Sequence, residues 1–270
     1  MRRFVSVHKT TFHGLGAVLQ NTENLEPVVH EFLSELRSSC AAVPEYEFSI
    51  QWANMSSDTL AYTYTYYVPT ANYWTPANVF EVYFNPRVPW SNGTCSEAAS
   101  QHYDLKTAVM HEVLHGLGFL STVASDKTSF PTNYDILLRD AHDSQIVNEN
   151  GVFEGNFGQS VYINNVRMFN PGTFNEGSSL SHVHASSRLM SYAQTECQQY
   201  LDYNSKVILN ELGYQCGQEV QTRIGKSDSS PMVIGIVLGV VVLILVVVVA
   251  TTCGKGRKKR DLQTPLLTKT

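Results

Sequence analysis

The chain has 270 residues, with 19 Lys+Arg against 24 Asp+Glu, 43% hydrophobic and 16% charged residues. That is too apolar for a disordered polymer and too mixed for a multi-span membrane protein. The net charge of −5 leaves no basic excess for a nucleic-acid partner. The charge is segregated: from Thr251 onward six basic residues stand against one acid (+5), and the remainder carries 13 basic and 23 acidic residues (−10).

In chain order, Met1-Arg2-Arg3 begins as the n-region of a signal peptide would. His8-Lys9 then cut off Phe4-Val5-Ser6-Val7 before an apolar h-region forms, so no signal peptide is expected in this stretch. Over 24–38, Leu25, Val28, Val29, Phe32, Leu33 and Leu36 recur at helical spacing, with Glu31, Glu35 and Arg37 off the stripe, which predicts an amphipathic helix. The period then switches to two. Tyr46, Phe48, Ile50 and Trp52 form one alternating run, Tyr62, Tyr64 and Tyr66 a second, and Phe80, Val82 and Phe84 a third. These predict three strands of one sheet, separated by turn residues. A second helix is expected from Asp104 as N-cap to Gly116 or Gly118. Residues 122–179 are rich in Asn, Gly, Asp and Ser and predict a long irregular stretch with a short strand at Val161-Tyr162-Ile163. Segments of that length are more often functional than structural. A last helix over 205–212, with Gly213 behind it, closes an α+β domain spanning 1–225.

Residues 226–231 read as a polar linker. Residues 232–250, MVIGIVLGVVVLILVVVVA, have no polar side chain. As a helix they span about 28 Å, and about 33 Å if extended to Cys253, close to the ~30 Å hydrocarbon core. A strand rarely exceeds ten residues and a core helix carries a polar stripe, so 232–253 is expected to be a single transmembrane helix. The basic residues of 254–270 argue for a cytoplasmic tail and an extracellular or lumenal N-terminal domain. The sequons Asn54-Met55-Ser56 and Asn92-Gly93-Thr94 fit that topology. So do four cysteines in the domain, for which the expected pairs are Cys197 with Cys216 and Cys40 with Cys95. Cys253 sits at the inner membrane edge, where palmitoylation is one fate. Gly235 and Gly239 form a GxxxG, a weak signal for a homodimer through the membrane.

The second helix carries His111-Glu112-Val113-Leu114-His115, the HExxH pattern. Two His four apart lie about 40° apart on a helix, so both imidazoles reach one point. Glu112 is about 100° around from His111, beside such a point rather than on it, where it can take a proton from metal-bound water. Met110, Val113, Leu114 and Leu117 make an apolar stripe that would back the helix against a core and present the histidines to a cleft. One Zn2+ per chain is therefore expected. Catalytic zinc takes three protein ligands and leaves a position for water. The compact HExxHxxGxxH pattern would place the third at 121, but that residue is Ser121. The candidates are His142, His182, His184 and Asp135. His182 and His184 shortly precede Leu189-Met190-Ser191-Tyr192, and a Met-bearing turn beneath a three-His site would account for both features.

With these residues in view, the chain resembles a metzincin peptidase of the leishmanolysin-like kind, in which a long insertion separates the HExxH helix from the third His. It is also similar to secreted bacterial metallopeptidases with HEIGHGLGF-type helices. The matching stretches are Tyr103-Asp104 leading into MHEVLHGLGFLS (110–121), Tyr134-Asp135, Gly177-Ser178-Ser179-Leu180-Ser181-His182, Leu189-Met190 and the run 207–214. They cover about 100–214. The resemblance implies a zincin-like catalytic domain with a mixed sheet plus backing and active-site helices. It implies His182 over His184 as third ligand, Met190 in the Met-turn, and the strand at 80–85 as the edge that pairs with an extended substrate. Met190-Ser191-Tyr192 is similar to the Met-turn of the astacin and serralysin branches, which implies a zinc- or oxyanion-binding role for Tyr192.

The expected activity is zinc-dependent endopeptidase cleavage of protein or peptide substrates, with Glu112 as general base. The alternative is a surface adhesion module on a catalytically retired zincin scaffold. The intact Glu112 speaks against it.

Overall fold

In a computed structural model of the protein, residues 2–9 and 25–217 are described, apart from 57–58, 92–94, 96–102, 124–130, 176, 187 and 194–195. The expected linker, membrane helix and tail, the Gly235/Gly239 pair, Cys253 and the Asn92 sequon lie outside the described residues. Among the described residues no helix is long and apolar enough to cross a membrane.

The domain is a mixed α+β structure. Helix α1 (Glu26–Ser39) opens with proline in its first turn, where a missing N–H costs nothing, and buries Val29, Phe32, Leu33 and Leu36. This is the stripe expected from the periodicity. Strands β2 (Glu47–Trp52), β3 (Thr59–Pro69) and β4 (Trp74–Phe84) belong to one sheet, as the three alternating runs predict. β4 runs parallel to β2 and antiparallel to β3. The N-terminal segment is a fourth strand, β1 (Arg2–Lys9), antiparallel to β3, giving the order β1-β3-β4-β2. Pairing of that kind is non-local and leaves no local signal. The order also corrects the expected substrate edge. The strand containing 80–84 is flanked on both sides, and the edges belong to β1 and β2.

β3 and β4 lie across helix α2 (Leu105–Gly116), and α1 packs beside it. The face of β3 turned to the core is not its tyrosine face. Thr63 and Thr65 are fully buried, whereas Tyr62, Tyr64 and Tyr66 are half-buried on the opposite side. From β4, Phe80, Val82 and Phe84 point into the same core. The helix approaches β4 so closely that a Cβ on Gly116 would meet the Phe80 ring at 2.5 Å. A short parallel pair, β5 (Trp90–Ser91) with β6 (Tyr103–Asp104), leads into α2.

After α2 the chain takes the expected irregular path. Among its described residues the regular elements are a 3-10 turn (Asp135–Leu137) and the hairpin β7 (Val161–Ile163) and β8 (Val166–Met168). Helix α3 (Tyr203–Glu211) starts two residues earlier than expected because Asp202 caps it by accepting from Ser205 N–H. Behind α3, Gly213 takes φ +97°, a left-handed stop that favours glycine.

Both expected disulfide pairs are corrected, to Cys40–Cys216 and Cys95–Cys197. The segment after α3 folds back along the end of α1, with Ala41 N–H bonded to Gln215 O and Gly217 N–H to Ser39 O, so Cys216 lies beside Cys40. Likewise the chain around Cys197 returns to the start of α2, where Gln198 N–H donates to Thr107 Oγ1. Closeness in sequence is a poor guide to such pairs, because tertiary return paths bring distant cysteines together.

Candidate metal centre

The site is assembled from the middle of α2 outward. Asp104 caps the helix by accepting from Thr107 N–H at 2.6 Å, as expected. About two and three turns beyond that cap, His111 and His115 project from the same side. Their Nε2 atoms lie 3.0 Å apart. His182, from the far end of the irregular stretch, brings its Nε2 to 3.2 Å from both. These three are the only His, Cys, Asp or Glu group of this kind among the described residues.

Each imidazole is held by its other nitrogen. Nδ1 of His111 faces the carbonyl of Leu189 at 2.7 Å, that of His115 the carbonyl of Phe119 at 2.6 Å, and that of His182 the carbonyl of Ser178 at 3.0 Å. A carbonyl only accepts, so each Nδ1 carries the proton and each Nε2 presents a lone pair. Three lone pairs aimed at one point repel unless a cation sits among them. A tetrahedral ion bound to nitrogen at about 2.0–2.1 Å spreads its ligands about 3.3–3.4 Å apart, close to the spacing seen. The residues therefore fit a metal ion. Burial pushes the imidazoles well below their ordinary value, to about 4 for His111 and about 3 for His182, so both stay neutral, as ligation requires.

No family model, curated protein or solved structure matches this chain. What the site can do is therefore argued from its own residues.

Glu112 lies beside the histidines and is 1% exposed. Its Oε2 accepts from Thr63 Oγ1 at 2.7 Å. Burial raises its carboxyl to about 8, against the lowering effect of the Thr63 hydrogen bond. The histidines are more enclosed than the expected open cleft, at 4% exposure for His111 and none for His115 and His182. The reason is that α2 is covered by the sheet on one side and by the returning C-terminal segments on the other.

The segment carrying His182 is a strap held along its length. Phe169 N–H donates to His182 O, Val183 N–H to Met190 O, and His184 N–H to Arg167 O. Leu180, two residues before His182, has φ +65°, a strained backbone for a branched side chain. Tyr134 Oη–H donates to its carbonyl at 2.7 Å. His184 and His142 are exposed and stand outside the cluster. Asp135 also stands outside the cluster. It accepts from the hydroxyls of Ser121, Thr122 and Thr132, pinning the exit from α2. Burial raises its carboxyl, and these hydrogen bonds oppose that rise. Gly118, at φ +98° and with Pro76 2.5 Å from where a Cβ would sit, makes the turn that leads to Ser121.

Met190 is fully buried in the turn after His182, and the preceding Leu189 supplies the carbonyl that holds His111. Tyr192 stacks on Phe169, ring centroids 3.9 Å apart, and is 38% exposed. Sequence reasoning missed Thr63, Leu189 and Asp202. Thr63 and Thr65 alternate with three tyrosines, and that alternation alone does not tell which set faces the core.

Proposed function

We propose that this protein is a zinc-dependent endopeptidase of the metzincin, leishmanolysin-like kind. The observation that carries the proposal is the convergence of three Nε2 lone pairs, from His111, His115 and His182, beside a buried glutamate on the same helix. Three neutral imidazoles suit zinc, and three protein ligands leave a position open for water, the pattern of catalytic rather than structural sites. Bound there, zinc would lower the pKa of its water toward 7 and polarise a peptide carbonyl. Glu112 accepts a proton as the water attacks and returns it to the leaving amine. The carbonyls of Leu189, Phe119 and Ser178 hold the three ring orientations. Tyr192 is the candidate oxyanion donor that the resemblance implies, and it would have to leave Phe169 to act.

Two disulfides support a domain folded in an oxidising compartment, and Asn54 is exposed as a glycan acceptor must be. With the apolar run 232–250, this favours a single-pass protein whose catalytic domain is extracellular or lumenal and whose tail is cytoplasmic.

The test is direct. The full chain should bind one zinc and cleave unstructured peptides, a chelator should abolish cleavage, and Glu112→Gln should keep the zinc while losing activity by orders of magnitude. Full activity in Glu112→Gln would sink the mechanism. Zinc binding without cleavage of any peptide in a broad library would point instead to the retired adhesion scaffold.

A further inference from the structure

Thr63 is an unusual residue for its place. It is fully buried in the middle of β3, on the face that packs α2, where valine would match its shape and favour the strand equally. Its hydroxyl is used twice on one residue: Oγ1 lies 2.7 Å from Oε2 of Glu112 and 2.9 Å from the backbone carbonyl of Glu112. Two residues on, Thr65 Oγ1–H donates to His115 O at 2.8 Å. The strand therefore grips the helix at its base and at its second histidine.

We propose that Thr63 is a positioning residue for Glu112. A hydroxyl has one proton, so against the ionised carboxylate it donates to Oε2 and holds that oxygen toward β3. Oε1 is then the oxygen left for the reacting proton. During hydrolysis that proton leaves water for Oε1 and passes to the amine nitrogen, as the C–O bond forms and the C–N bond breaks. With Oε1 protonated, Oε2 is still an acceptor, so the Thr63 hydroxyl goes on donating to it. Thr63 thus keeps the carboxyl plane fixed through both proton transfers while touching neither substrate nor metal. This role rests on the peptidase proposal above.

The test compares Thr63→Val and Thr63→Ser in the full chain. Valine keeps the shape without the hydroxyl, and serine restores the hydroxyl. Thr63→Val should keep one zinc per chain and KM within about twofold while kcat falls about 10- to 100-fold, the scale expected when a catalytic group is misplaced. Thr63→Ser should recover most of the loss. In the zinc-free chain, the infrared carboxyl band identified by its loss in Glu112→Gln should shift in Thr63→Val and return in Thr63→Ser. Adding Thr63→Val to Glu112→Gln should change the residual rate little, since Thr63 acts only through the carboxylate.

An active parent whose Thr63→Val variant keeps its kcat and its carboxyl band overturns the positioning role alone. So does an equal loss from Thr63→Val in the Glu112→Gln background, which would mark a packing effect. If Thr63→Val does not fold, the role is judged on Thr63→Ala by the same measurements. A zinc-loaded parent that cleaves no peptide overturns the peptidase proposal, and this role with it.

Discussion

The Nδ1–H of His111 donates to the carbonyl of Leu189 at 2.7 Å, and the amide of the same Leu189 donates to Asp202 at 2.8 Å. Asp202 is in turn the N-cap of α3. One residue, Leu189, thus links a histidine of the candidate metal cluster to the last helix. Asp202→Ala should loosen the Met190 turn and let the His111 ring rotate, lowering zinc affinity about 10- to 100-fold. It should also cost about 1 kcal/mol through the lost cap. Competition against a chelator of known affinity, alongside thermal melting, separates the two effects. Destabilisation with unchanged zinc affinity would show that the turn does not depend on Asp202.

The third ligand can be decided by paired variants. His182 Nε2 is 3.2 Å from both partners, whereas His184 is exposed and donates its backbone amide to Arg167 O. His182→Ala should abolish stoichiometric zinc binding, and His184→Ala should leave it intact. Metal content after dialysis reads the outcome. The reverse result would place the strap two residues away from the register described.

Much of this architecture is legible in the residues, for a physical reason. α1 and α2 follow from apolar spacing and from Asp104, which announces its cap, because helical contacts are local. His111, Glu112 and His115 follow from the same locality. His182 is 67 residues beyond His115, and only its resemblance to a known segment singles it out among four candidates. What could not be read is non-local or carried by backbone. β1 joins the sheet across more than 50 residues, both disulfides close long loops, and the carbonyls that orient the histidines have no side-chain signature. Which face of β3 meets the core was equally obscure, since threonine and tyrosine both suit a strand.

The disulfide Cys40–Cys216 closes a loop of sequence separation 176. In the chain-entropy picture such a crosslink contributes about 5 kcal/mol, an upper figure since real values run lower. Cys40→Ser with Cys216→Ser should lower the melting temperature markedly more than any single surface change. A non-reduced peptide map should show links 40–216 and 95–197. Links 40–95 and 197–216 would instead restore the pairing by sequence proximity.

Acid and alkali should act on the zinc-free domain through different residues. His111 and His182 are depressed to about 4 and about 3, below the ordinary 6.5. The unfolded chain therefore binds more protons in that interval, and their contribution, full above 6.5, is lost as pH falls toward 4. Glu112 is raised to about 8, so the folded chain binds the extra proton. Its contribution is full below the ordinary carboxyl value and is lost as pH rises toward 8. Asp135, also raised, adds to that second trend. Melting curves of chelator-treated protein from pH 4 to 8 should show the acid limb flattened in His182→Asn and the alkaline limb flattened in Glu112→Gln. Identical limbs in parent and variants would assign the pH response to other groups.

An extended peptide substrate needs a strand edge near the histidines, and β3 is the strand whose threonines touch Glu112 and His115. One side of β3 is taken by β4 and the other by β1, with Phe4 opposite Thr65 and Val5 opposite Tyr64. A peptide can add to β3 only where β1 yields. Because ladder hydrogen bonds alternate along an antiparallel pair, prolines at both Phe4 and Val5 remove a ladder donor whichever residue supplies it. Phe4→Pro with Val5→Pro should therefore raise kcat/KM for long unstructured peptides several-fold and leave cleavage of short end-blocked peptides and zinc content unaffected. Equal rates for parent and variant on long peptides would mean that substrate does not use the β3 edge. The outer margins of the sheet, β1 and β2, would then be the edges left to it among the described residues.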